Sequence, residues 1–191
     1  MNEKLEKVIS QDSRIFSSIV RFSYNRCKEG LSKKEIYAKV NEIFPNINCH
    51  LRSCAQGEAF MNWLSNGKDA SKKVYFGKFK RFQKGLITKE DYRESKNVGI
   101  SSTGEANQKG NRLFEVDVEN NKFIYKRNRK DHYDLVIVEK LGEKRRNLLL
   151  NIQNLMQEKK LPITFRLKKD KVYLSYDEKV VEKEKQFRGL F

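Results

Sequence analysis

The hydrophobic period of the chain changes near residue 97, and that change limits the fold more than any single motif. Upstream, apolar residues recur at helical spacing: Ile15, Phe16, Ile19, Val20 and Phe22 form one stripe, and Ile36, Val40 and Ile43 a second. A third runs through Leu51, Ala55, Ala59, Trp63 and Leu64. Downstream, apolar residues alternate, as in Phe114, Val116 and Val118 and again in Ile163, Phe165 and Leu167. A helical segment followed by alternating segments predicts an α+β chain, with an N-terminal helical lobe and a small antiparallel sheet or barrel holding one helix.

Local signals set the expected boundaries. Asp12 or Ser13 is read as the cap of a helix reaching Lys28, with Gly30 as its stop. Ser32 and Glu35 have the spacing of a capping box, and Pro45 ends the helix that follows. The third helix is expected from His50 to Ser65. Ser71 to Lys84 is read as a helix with Tyr75, Phe79 and Phe82 on one face and Lys73, Lys80 and Lys84 on the other, weakened by Gly77. Thr88 opens a short helix to about Lys96. Residues 97–111 carry Gly99, Gly104 and Gly110 and are expected as a loop and domain boundary, giving domains 1–97 and 98–191. Beyond it come a hairpin turning at Asn120-Asn121, a strand Leu135 to Val138, a helix Glu143 to Lys159, and a final hairpin turning at Lys169-Asp170.

Charge narrows the function classes. Of 191 residues, 41 are Lys or Arg against 25 Asp or Glu, a formal charge of +16. No apolar run approaches the ~18–20 residues of a membrane span, and the first residues lack a secretory pattern, so a soluble cytoplasmic protein is expected, with no membrane partner. The basic residues are clustered. Six lie between residues 72 and 84 with no acid among them: Lys72, Lys73, Lys78, Lys80, Arg81 and Lys84. Five lie between 122 and 130, again without an acid: Lys122, Lys126, Arg127, Arg129 and Lys130. Lys144, Arg145 and Arg146 open the helix after residue 142, where cations oppose the helix dipole. Such clusters suit phosphates, whose neutralisation releases condensed counterions. The aromatics among them could stack on bases, although core packing accounts for their spacing better.

Catalytic and metal signals are weak. Cys27, Cys49 and Cys54 lack Cys-x-x-Cys spacing, and His50 and His132 are far apart, so neither metal nor cofactor is expected. No phosphate-binding loop, nucleophile elbow or His-Glu-x-x-His occurs. Asp134, Asp177 and Glu178 are the only candidates for phosphoryl-transfer acids, and nothing distinguishes them from solvating charges at strand ends.

The segment Gly104-Glu-Ala-Asn-Gln-Lys-Gly-Asn-Arg-Leu-Phe114 resembles the loop and strand leading into the wedge domain of TnpB-type transposon-encoded RNA-guided endonucleases and compact type V CRISPR effectors. Val74 to Phe82, Lys84 to Tyr92, Leu161 to Leu167 and Val172 to Asp177 resemble further pieces of that family in the same order. The resemblance implies a recognition lobe followed by a wedge, which hold guide RNA and its duplex with DNA and contribute to reading a short flanking DNA motif. It implies that Lys109, Asn111 and Arg112 lie near RNA, with Lys78, Lys80, Arg81 and Lys84 on the recognition lobe. The RuvC acids and zinc-ribbon cysteines of that family have no counterparts here, so cleavage does not carry over. The expected function is a non-catalytic module binding structured, guide-type RNA or an RNA–DNA duplex. The alternative is a truncated remnant or an interaction subunit docking on a separate nuclease or transposase.

Overall fold

The computed structural model describes residues 3–137, 141–168 and 171–177. The chain divides into two compact units, one of Glu6–Ile100 and the other chiefly of Ser101–Leu167 and the strand that follows. The architecture is α+β.

The first unit is helical. α1 spans Glu3–Lys28, α2 Lys33–Ile43 and α3 Cys49–Ser65, followed by two short helices, α4 (Phe79–Gln83) and α5 (Lys89–Ser95). The core takes Phe16, Ile19, Val20 and Tyr24 from α1, Ile36 and Val40 from α2, and Leu51, Ala55 and Ala59 from α3. These follow the predicted stripes in their middle turns, spaced so that one face of each helix leaves water, but Ile43 and Leu64, expected to extend them, lie at the helix ends and are exposed. α1 begins nine residues before the expected Asp12 cap, because Leu5 and Ile9 continue the buried stripe backwards. Asp12 and Ser13 therefore lie in mid-helix, both buried. Ser32 caps α2 as read: its hydroxyl accepts from Glu35 N, and the Glu35 carboxylate accepts from Ser32 N at 2.8 Å. α3 is capped by Asn48, whose Oδ1 accepts from His50 N at 2.8 Å. Gly57 sits inside α3 although a Cβ there would meet nothing within 4 Å.

The expected helix from Ser71 to Lys84 does not form. Only Phe79–Gln83 is helical, and Gly77 adopts φ +74°, a left-handed turn that redirects the chain before α4. A Cβ at Gly77 would lie 2.7 Å from Ser95 Oγ. That hydroxyl accepts from Lys78 N at 2.9 Å and pins the turn to α5.

The second unit holds two three-stranded sheets, with no closed barrel among the described residues. One has the order β1 (Ile100–Ser102), β5 (Thr164–Lys168), β6 (Lys171–Ser175). The other is the antiparallel meander β2 (Phe114–Asp117), β3 (Lys122–Lys126), β4 (His132–Val136). The turn between β2 and β3 places Asn121 at φ +50°, as the Asn-Asn pair suggests. α6 (Glu143–Gln157) buries Ile152, Leu155 and Met156. Stacking of Phe114 on Phe165, with centroids 5.2 Å apart, joins β2 to β5. Phe114 and Tyr125 pack across the meander at the same separation.

Residues 97–111 are not the open loop expected. They contain β1, a single 3-10 turn (Ala106–Gln108) and a bridge between Glu105 and Gly110. The third strand lies at His132–Val136, earlier than the expected Leu135–Val138. Val138, the Lys169-Asp170 turn, Glu178 and the charged tail 179–185 lie outside the described residues.

Candidate nucleic-acid interface

In the helical unit, Lys72, Lys73, Lys78, Lys80, Arg81 and Lys84 are all exposed. Their backbone is held from below. Phe76 meets the buried Tyr24 ring edge-on, with centroids 5.6 Å apart, and Trp63 meets the same ring at 5.8 Å. The Lys72 carbonyl accepts from Lys28 Nζ at 3.4 Å. Asp69 Oδ1 accepts from Ser71 N and Ser71 Oγ, and these bonds hold its carboxyl below the usual range.

The aromatics of this segment form a ladder. Tyr75 stacks on Phe79 at 4.5 Å, Phe79 tilts against Tyr92 at 5.7 Å, and Tyr92 stacks on Phe82 at 4.9 Å. Lys96 Nζ lies 4.2 Å from the Tyr92 ring centroid. The rings therefore satisfy one another, and Tyr75, 42% exposed, ends the ladder with a face toward water. Thr88 and Asp91 form a second capping box that fixes α5 and with it Tyr92. Lys96 joins the basic segment through Tyr92, a place that no charge run in the sequence indicates.

The basic residues of the second unit divide into two kinds. On the open face of the meander, lysines alternate with acids. Lys122 Nζ lies 2.8 Å from Asp134 Oδ2 and 3.9 Å from Asp117 Oδ2, and Lys126 Nζ lies 2.5 Å from Glu115 Oε2. The Lys122 ammonium is held above its ordinary pKa by the hydrogen bond to Asp134. Two cations of the acid-free run, Lys122 and Lys126, are thus paired with acids on neighbouring strands. Arg129 and Lys130 are exposed on the β3–β4 turn, with Arg127 half-buried beside them.

That turn lies at the end of the meander where the chain enters β2, since Lys126 N donates to Leu113 O at 2.7 Å. Lys109, exposed at φ +52°, and Arg112 lie on the segment entering that end. The Arg112 guanidinium is paired with Glu105 Oε2, 2.9 Å away. Lys144, Arg145 and Arg146 form a separate exposed group on the first turn of α6. Contacts from Met156 to Gly110 and from Gln153 to Val118 pack the second half of α6 against β2 and its approach.

Asn111 is the one predicted contact residue that faces inward. It is 2% exposed and makes five hydrogen bonds. Its Oδ1 accepts from Ser102 Oγ (2.8 Å), Leu113 N (2.9 Å) and Phe114 N (3.1 Å). Its Nδ2 donates to Ser102 O (2.9 Å) and Ile163 O (2.8 Å). It ties β1, β2 and the start of β5 together and presents no polar edge to a ligand. The two glycines of the same segment are steric requirements. A Cβ at Gly104 would lie 2.3 Å from Ile163 N, and one at Gly110, φ +79°, would lie 2.6 Å from Met156 Cγ.

Among the described residues, no group of three His, Cys, Asp or Glu side chains could hold a metal ion, and no helix is long and apolar enough to cross a membrane. His50 Nε2 lies 3.5 Å from Cys54 Sγ, one turn along α3.

No curated protein and no solved structure matches the chain. The family model of the SSO2105 N-terminal domain matches residues 2–184, nearly the whole sequence. The chain belongs to the SSO2105 N-terminal domain family.

Proposed function

We propose that the chain is a non-catalytic nucleic-acid-binding module that grips the phosphate backbone of structured RNA. The observation that carries this reading is the 72–84 segment, where six cations are exposed on a backbone pinned by Phe76, Ser95 and the aromatic ladder. Cations held on a fixed support engage phosphates with less ordering cost than cations on a free tail. The resemblance of Gly104–Phe114 to the wedge of RNA-guided nucleases favours guide-type RNA, alone or paired with DNA, as the ligand. Lys109, Arg129 and Lys130 extend the reading to the second unit as a further set of phosphate contacts.

The test is a titration of a hairpin RNA across a range of salt. The parent protein gives a steep linear fall of log affinity with log salt. Changing Lys80, Arg81 and Lys84 together to Ala lowers that slope by about one unit for each lost phosphate contact. An unchanged slope in a folded triple variant overturns the assignment.

A further inference from the structure

Between α2 and α3 lies an open cleft of about 390 Å³, lined by Lys33, Lys34, Tyr37, Gln56, Gly57 and Phe60 among others. Its size falls in the range of small-ligand sites. We propose that this cleft holds one nucleotide, with the base against the Tyr37, Gly57 and Phe60 side and the phosphate on Lys33 and Lys34.

Three independent features point to such a ligand. Gly57 lies within a 17-residue helix, where glycine is disfavoured, yet a Cβ there would touch nothing. Packing does not require the glycine, and its effect is to keep the floor of the cleft flat. Gln56 is 5% exposed, and its Nε2 has no hydrogen-bond partner among the described residues. Gln56 lines the cleft, and its Nε2 can donate to an acceptor on the edge of a base, such as N7 of adenine. Lys33 and Lys34 occupy the first turn of α2, where cations oppose the helix dipole and a bound anion would favour them. The acid beside them, Glu35, is engaged with Ser32, and none of the lining residues is acidic. Lys33 Nζ lies 5.1 Å from the Phe60 ring centroid, which brings the charge and the aromatic surface together. An ammonium beside a ring, a side-chain-free position in the floor and a buried amide match a planar base bearing a phosphate.

The nucleotide could be free or an unpaired residue of an RNA strand, so the probes are AMP and a single-stranded oligoadenylate. Each is titrated against the parent, Gly57→Leu and the Lys33→Ala/Lys34→Ala pair. Leucine favours the helix over glycine, so Gly57→Leu melts at a higher temperature than the parent while its side chain occupies the cleft. The expected result is at least a tenfold loss of affinity in Gly57→Leu and a smaller loss in the double variant. AMP binding by the parent identifies a free-nucleotide site, and oligoadenylate binding without AMP binding identifies a strand residue. The hairpin RNA is titrated alongside. Gly57→Leu leaves its salt slope unchanged, because the cleft uses no residue of the 72–84 segment. The inference is overturned if the parent binds neither probe, or if Gly57→Leu binds both as the parent does.

Discussion

The two units draw on the same residue types and use them in opposite ways. In the helical unit the 72–84 lysines point outward along a stretch with no acid, over an aromatic ladder that lies at the surface. In the second unit the sheet lysines are matched to carboxylates on neighbouring strands, and Phe114, Tyr125 and Phe165 are sealed in the core. Antiparallel pairing explains the difference. It brings residues distant in sequence to about 5 Å from one another, so acids at 115, 117 and 134 reach lysines at 122 and 126. The acids near the 72–84 segment lie at its margins: Asp69 acts on Lys72, and Asp91 of α5 acts on Lys78. A cationic run therefore means something different in a strand than in a turn or helix.

The largest expected effect tests whether the Gly104–Phe114 segment serves the fold. Asn111→Ala removes five hydrogen bonds at a buried site and leaves the Leu113 and Phe114 amides and two carbonyls without their partner. We expect a loss of about 4 kcal/mol in the second unit, since each stranded buried group costs roughly 1–3 kcal/mol and relaxation recovers part of it. Hydrogen exchange should show opening in Phe114–Lys126, while the buried stripes of α1 to α3 keep their protection. A loss under about 1 kcal/mol would mean that the segment tolerates the hole and that the Asn111 hydrogen bonds do not hold the second unit together.

A smaller effect sharpens the contrast in charge. Lys122→Ala with Lys126→Ala removes two cations from the longest-looking basic run of the second unit. Because both already have carboxylate partners, the affinity for hairpin RNA should change by no more than about twofold, whereas the Lys80, Arg81 and Lys84 set carries the slope. Equal losses from the two variants would erase the distinction between paired and unpaired runs.

The sequence carried the helical unit well wherever the signal was local. Most of each stripe and the Ser32 capping box appear as read, and Thr88 opens α5, although Ile43 and Leu64 at the ends of their stripes are exposed. It misled at Ser71–Lys84, where aromatic spacing imitates a helix face and the positive φ of Gly77 decides otherwise. It missed β1, because Ile100–Ser102 is three residues long and its partner strand lies more than sixty positions away. Of the site residues, the exposed lysines of 72–84 could be read from charge alone. The pairing of Lys122 and Lys126 could not, since it depends on strand register. The inward turn of Asn111 was hidden for the same reason: its partners Ser102, on β1, and Ile163, just before β5, are brought to it by strand pairing. The α2–α3 cleft left one trace in the sequence, a glycine in mid-helix.

Acid titration gives the smallest effect and compares the units directly. Glu35, Asp69 and Asp91 in the helical unit each have a carboxyl pKa below its ordinary value, through hydrogen bonds from Ser32, Ser71 and Thr88 respectively. In the second unit Asp117 is lowered in the same way by Asn120. A carboxyl with a lower pKa folded than unfolded stabilises the fold above its unfolded value, and that stability is lost as pH falls through the folded value. For Glu35 the ordinary value is 4.5, so the loss begins near pH 4.5 and deepens below it. The ordinary value is 4.5 for Glu35 against 3.8 for Asp117, so α2 should begin to lose hydrogen-exchange protection at a higher pH than β2 and β3. Glu35→Gln keeps a hydrogen-bonding side chain at the capping box and removes the titration, so α2 in this variant should lose its share of the acid sensitivity. If β2 and β3 open first on acidification, or if Glu35→Gln follows the parent profile, the local hydrogen bonds of the helical unit are not what sets its response to acid.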